Sequence, residues 1–191
     1  MKGPRPFRAL AVLLVLLTVV ACAGVTGTVD APDQADAIDV SDASGATDVF
    51  GAFDAFVRAN GFAGLERATV RIGRADVEVV VADSQVARER GLQGVDAVPE
   101  GAGMLFVFPD AAGPGGRAGF WMLETPVALD IAFAADGTVV GVATMQPCPA
   151  RPCPITHPGV EYDVALEVAA GQLERAGVRL GDPLTWEPAD D

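Results

Sequence analysis

The chain has 191 residues, half of them hydrophobic, with 13 basic against 26 acidic side chains and a formal net charge of −13. So acidic a surface is a poor partner for nucleic acid or anionic lipid headgroups, because phosphate binding needs clustered Lys and Arg. Lys2 is the single lysine, so the rest of the chain can form no Schiff base.

Met1 to Arg8 carries Lys2, Arg5 and Arg8 with no acid, and Ala9 to Val20 is apolar save for Thr18. A basic start, a short apolar run and Ala21 before Cys22 have the layout of a secretory signal. The apolar run falls short of the about 20 residues that cross a bilayer as a helix. A cysteine at the cut makes the segment resemble a bacterial lipoprotein signal. Residues 1–21 are then removed, and Cys22 is lipidated as the new N-terminus. Ala23 stands where an aspartate is associated with inner-membrane retention. The expected address is therefore the cell envelope, at the outer membrane facing the periplasm in a Gram-negative cell. The membrane becomes a partner through this anchor. Removal of residues 1–21 leaves ten arginines against 26 acids.

Residues 22–47 are rich in Ala, Gly, Thr and Asp with no apolar period, and read as a disordered acidic tether. Residues 48–62 read as an amphipathic helix packed on the domain. Val49, Phe50, Phe53, Phe56 and Val57 share one face, and Gly61 ends it. Strands are expected at Thr69–Ile72, Asp76–Ala82, Met104–Phe108, Phe120–Leu123, Asp130–Ala134, Thr138–Thr144, Tyr162–Val168 and Pro183–Trp186. Ser84 can cap a short helix reaching Leu92. Pro109 to Gly119 reads as a loop, Asp136-Gly137 as a tight turn, and Gln172–Ala176 as one helical turn. Many short strands and few helices predict a mainly β fold, a small antiparallel β-barrel or sandwich with one or two short helices.

Several segments in order carry a resemblance: Val81-Ala82-Asp83, Arg88 to Leu92, Gly103 to Phe108, Phe120-Trp121-Met122, Thr125-Pro126, Leu129-Asp130-Ile131, Pro147-Cys148, Ala165 to Gly171 and Gly181-Asp182. Their order and spacing resemble domain of unknown function 192, across about residues 69 to 187 and within an expected domain at 68–188. The resemblance implies a compact, mainly β, often exported domain without an established activity, and it supplies no catalytic residues. The chain departs from the family's usual pattern at Gln93, Leu123 and Glu124, where methionine, lysine and asparagine are usual.

Cys148 and Cys153 form an even pair once Cys22 is lipidated, and in an oxidising compartment they are expected to form a disulfide. The nucleophile inventory is thin. Serine occurs only at 41, 44 and 84, His157 is the only histidine, and no Gly-x-Ser-x-Gly elbow is present. No catalytic residue, metal site or cofactor is therefore assigned. The favoured reading is a non-enzymatic domain that binds a small ligand or an envelope protein, and nucleic acid is not an expected partner. Candidate binding residues are Arg88, Arg90, Trp121, Glu124, Thr125 and Asp130. Arg88 and Arg90 point about 200° apart on a helix, so one faces inward and is expected to pair with Asp130 or Glu124. Two alternatives remain. Met145, Cys148, Cys153 and His157 form a soft ligand set for a copper or thiol-redox carrier. Glu124, Asp130 and Glu167 could converge as a carboxylate hydrolase of envelope polymers.

Overall fold

The structure, a computed structural model, describes residues 45–113, 115 and 118–189. The expected signal at 1–21, Cys22 and the tether up to residue 44 lie outside the described residues. A seven-stranded sheet, its helical cover and the loops between them make up the architecture. The strands are β1 (Arg67–Ile72), β2 (Ala75–Ala82), β3 (Ala102–Ala112), β4 (Leu129–Ala135), β5 (Thr138–Met145), β6 (Tyr162–Ala169) and β7 (Leu184–Pro188). Their order across the sheet is β5-β4-β6-β3-β2-β1-β7.

The side-chain period of two explains how the sheet curls around one core and carries a second. One face gathers Val70, Val79, Leu105, Ala132, Leu166 and Leu184 into a buried cluster. The other gathers Met104, Phe106, Ile131, Phe133 and Ala165. Curling brings the two outer strands together at one end. Thr138 bridges Pro183, and the Val139 and Leu184 amides donate to the Asp182 and Gly137 carbonyls, both at 2.9 Å. The result is a half-barrel. Of the expected barrel and sandwich, the single curled sheet is on the side of the barrel, half closed.

Helix α1 (Gly45–Ala59) and α2 (Gln85–Arg90) accompany the second face, and α3 (Gln172–Arg175) belongs to the first. Phe53, Phe56 and Val57 lie at i, i+3 and i+4 and are buried in the same cluster as Phe106 and Phe133. Gly61, at φ 67°, ends the helix, and the Phe62 amide returns to the Val57 carbonyl at 2.9 Å. Arg67 Nη1 reaches Asp54 Oδ1 at 2.7 Å and stacks on Phe53, fastening α1 to β1.

Several expectations need correction. The sheet is not wholly antiparallel, because β2 and β3 pair in parallel; α2 and the segment after it form the crossover between them. The strand expected to end at Phe108 runs on to Ala112. Pro109 falls where the β3–β6 register shifts, a position at which its missing N–H interrupts no ladder bond. Phe120–Leu123 is no strand. It is held by two isolated bridges, Phe120 to Thr156 and Leu123 to Cys148. The helix expected at 48–62 is set earlier, running from Gly45 to Ala59.

Candidate functional site

Helix α2 starts where Ser84 Oγ accepts the Ala87 amide, and ends at Gly91, whose φ of 49° suits glycine. It projects Arg88 and Arg90 in divergent directions, as their two-residue spacing requires. Arg88 Nη1 donates to the Asp83 and Val107 carbonyls, the latter at 2.8 Å, with the guanidinium 5.2 Å from the Phe108 ring centre. Arg90 donates to the Asn60 and Gly61 carbonyls and stacks 4.6 Å from the Phe62 ring centre. The expected pairing of either arginine with Asp130 or Glu124 does not form. Backbone carbonyls and aromatic faces satisfy both instead.

Between α2, β3, β6 and the 118–125 segment lies a cleft of about 780 Å³. Phe106 and Phe108 come from β3, and Phe120, Trp121, Met122 and Thr125 from the 118–125 segment. Phe120 sits at the centre of an aromatic group, 4.9 Å from Phe106 and 5.6 Å from Phe133, ring centre to ring centre. The Tyr162 hydroxyl donates to the Ala118 carbonyl at 3.0 Å and pins this segment to β6. Burial pushes that phenol up to about 12. Trp121 is 37% exposed, and Arg151 of the Cys148–Cys153 loop stacks 4.2 Å from its ring centre.

Glu167 lines the floor of this cleft. On β6 it lies between Met104 of β3 and Ile131 of β4, so cross-strand neighbours on both sides are apolar. It is 4% exposed, and no hydrogen-bond partner of its carboxyl occurs among the described residues. Loss of hydration raises its pKa from the usual 4.5 to about 8, so the acid is neutral at pH 7. A neutral carboxyl can donate one hydrogen bond and accept others, and in its ionised form it can hold a cation.

Of the candidate binding residues, Arg88, Arg90, Trp121 and Thr125 line the cleft. Glu124 and Asp130 do not. Glu124 is an exposed turn residue at φ 56°, its carbonyl accepting the Gly94 amide at 2.9 Å. Asp130 is buried on the opposite face of the sheet. Its Oδ1 accepts from Thr144 Oγ1 at 2.7 Å and its Oδ2 from the Leu173 amide at 3.2 Å, an arrangement that ties α3 to β4 and β5. Register explains the separation: Asp130 faces Val168 while Ile131 faces Glu167. Glu124, Asp130 and Glu167 therefore do not converge, and no hydrolytic carboxylate pair is assembled from them.

Cys148 and Cys153 are joined in a disulfide, which leaves neither sulfur a thiolate for copper. His157 accepts the Gly159 amide on Nδ1 at 3.2 Å and lines a different, shallower cavity beside Val142, Pro158 and Leu180. Met145 ends β5 opposite Leu129 of β4, with its side chain buried in the core. The soft-ligand set is not gathered into one site.

The one cleft residue that matters most was grouped in the sequence with the wrong partners. Glu167 stands alone among Ala165, Leu166 and Val168 in a strand pattern. An acid amid the apolar second half of a central strand, opposite Met104 and Ile131, is the signal that marks it.

Comparison with known proteins agrees with the resemblance. The family described as Uncharacterized ACR, DUF192, matches residues 68–186. Among solved structures, the chain is similar to a protein from Sinorhizobium meliloti 1021 described as a proposed transcription regulator. That likeness has 28% identity and a TM-score of 0.53, and covers 63% of this chain and 92% of the other. It is also similar to a protein of unknown function from Novosphingobium aromaticivorans, with 25% identity and a TM-score of 0.50, over 63% of this chain and 84% of that one. No curated protein matches it.

Proposed function

Since the chain belongs to the domain of unknown function 192 family through residues 68–186, we propose that it is a binding domain of the cell envelope, whose cleft takes a small molecule. The observation that carries this reading is the floor of the cleft: a carboxyl enclosed by apolar side chains, without a partner, and open to the cavity. Apolar walls strip much of the water from this carboxyl, a loss that only replacement hydrogen bonds make good. A ligand that completes the hydrogen bonding of Glu167 recovers that loss. Phe106, Phe108, Phe120 and Trp121 supply the apolar walls that small-molecule sites use, with few polar groups to fix orientation.

The absence of a nucleophile–base pair in the cleft favours binding over turnover. Its lining residues include neither serine nor histidine nor cysteine. The proposed lipid at Cys22 would hold the domain at the envelope, and the oxidised Cys148–Cys153 pair suits that compartment. Regulation of transcription, ascribed to the Sinorhizobium protein, does not transfer to a chain with twice as many acids as bases.

Fractionated envelope metabolites titrated against the purified protein test this reading by calorimetry, a readout that does not depend on Trp121. Binding that Trp121→Ala weakens at least tenfold supports the cleft. Binding unaffected by both Trp121→Ala and Glu167→Gln removes it. The anchor has its own test: mass spectrometry of the membrane fraction should find an acylated N-terminal Cys22, and an intact Met1 would refute lipidation.

A further inference from the structure

We propose that the ligand of this cleft is a small zwitterion, seated with its ammonium group on the Glu167 carboxylate and its anionic group at Arg88. The inference rests on the binding reading above and names the chemistry of what binds. Three features converge on it.

The first is the set of groups facing Glu167. Its neighbours across the strands are Met104 and Ile131, and the walls nearby are Phe106, Phe120 and Met122. None of these offers a hydrogen-bond donor or a positive charge. Among the described residues none forms an ion pair with this acid, and an incoming ammonium supplies one to its ionised form. Ring faces and thioethers around a carboxylate also suit an ammonium, because the aromatic quadrupole is negative at the face.

The second is the placement of charge around the cleft. Among the described residues, the charged ones that share it with Glu167 are Arg88, Glu89 and Arg90, and all three come from α2. β3, β4 and the 118–125 segment bring none to the cavity. Glu89 is exposed and accepts from Gln85 at 2.8 Å. Once Glu167 ionises, an acid at the floor and arginines on α2 make the cleft dipolar, and the charges of a zwitterion complement it.

The third is the distribution of free donors at the rim. Arg90 has both terminal nitrogens committed to the Asn60 and Gly61 carbonyls. Arg88 uses only Nη1, on the Asp83 and Val107 carbonyls. Its Nε and Nη2 have no partner among the described residues, and they form the edge that a carboxylate takes in two parallel hydrogen bonds. Phe108 holds the plane of that guanidinium from one side.

The proton balance follows. The free domain holds Glu167 protonated at neutral pH. Binding the ammonium requires the carboxylate, so one proton leaves Glu167 for solvent as the ligand enters. For a pKa of about 8, the competent fraction grows about fifty-fold between pH 6 and pH 8, and the apparent affinity with it.

Four probes with one phenyl body separate the outcomes: L-phenylalanine, 2-phenylethylamine, 3-phenylpropionate and 3-phenylpropionamide. Each is titrated into the 15N-labelled domain, and amide shifts at Phe106, Trp121 and Glu167 locate it. L-phenylalanine should bind best and 2-phenylethylamine next, both strengthening about fifty-fold from pH 6 to pH 8. Glu167→Gln should weaken them at least tenfold and flatten the pH profile. Arg88→Met should reduce L-phenylalanine to the level of 2-phenylethylamine. Preferential binding of the amide or the propionate, or a flat profile with the native chain, overturns the zwitterion and leaves the binding reading standing. If none of the four shifts these amides, the inference and the reading beneath it both fall.

Discussion

Replacing Glu167 by glutamine should stabilise the fold in alkaline solution and leave it almost unchanged in acid. The sign follows from where the proton sits. Burial raises the carboxyl pKa from 4.5 to about 8, so the folded chain keeps a proton that the unfolded chain releases. Between those two values the native protein loses stability as pH rises, by about 1.4 kcal/mol per unit. The accumulated loss reaches about 5 kcal/mol at pH 9, and water entering the cleft makes this an upper figure. Glutamine fills the same volume and has no proton to release. Urea unfolding of both proteins at pH 5, 7 and 9 should therefore show a gap that opens from under about 1 kcal/mol through about 3 to about 5. Comparing the two chains cancels the other carboxylates, which titrate alike in both. Parallel profiles would mean that the Glu167 carboxyl is hydrated or paired in solution, and the cleft would lose the feature on which its function is argued.

Glu124 occupies a left-handed turn at φ 56°, a conformation that costs a residue with a long side chain roughly 1–2 kcal/mol. Glu124→Asn should raise stability by about 0.5–1 kcal/mol in urea melts; a lower midpoint would show that the carboxylate makes a contact worth more than the strain. Asp130→Ala strands the buried Leu173 amide, while the exposed Thr144 hydroxyl turns to water, with an expected loss of about 1–3 kcal/mol and no change in probe binding at the cleft. Weakened binding at unchanged stability would place Asp130 in the site after all. Tyr162 is the only tyrosine, so absorbance at alkaline pH reports it alone. Its phenolate should appear near pH 12 while the fold persists and near 10 in urea. Ionisation near 10 in the folded chain would contradict its burial.

How much of this was legible in the sequence depends on the range over which each feature is decided. Asp136-Gly137 was readable because a two-residue hairpin needs positive φ at both positions, and both have it, at 49° and 73°. Ser84 was readable as a cap because its hydroxyl serves an amide three residues away. The disulfide was readable from the even pair that Cys148 and Cys153 make once Cys22 is set aside for the proposed lipid. Strand order was not. Whether β3 pairs with β2 in parallel is settled by β6 taking its other edge, and no local pattern encodes that choice. The site was half legible for the same reason. Arg88, Trp121 and Thr125 meet in one cleft, but the sequence reading added Asp130 because it stands beside them in the chain's motifs. A single residue of strand register sends Asp130 to the far face and Glu167 to the near one. That parity is invisible until the cross-strand partners are known.

The position of Glu167 also sets a relation between stability and binding. A leucine there would continue the apolar face formed by Met104, Phe106 and Ile131 and would remove the desolvation that the acid suffers. The carboxyl therefore holds the empty domain below the stability that its fold allows, which is the usual mark of a site rather than of a scaffold position. What the acid loses in the empty cleft is returned by an ammonium that pairs with it. Ligand binding and folding are then two readings of one interaction, and they must respond to pH with opposite signs. Across the range where the native chain weakens because Glu167 ionises in an apolar cavity, its affinity for a zwitterion rises because the ionised acid is the form that binds. A neutral hydrogen-bond acceptor would couple the other way, losing affinity and stability together. The sign of that coupling, measured on one protein with one titration, separates the two classes of ligand before the natural ligand has been identified.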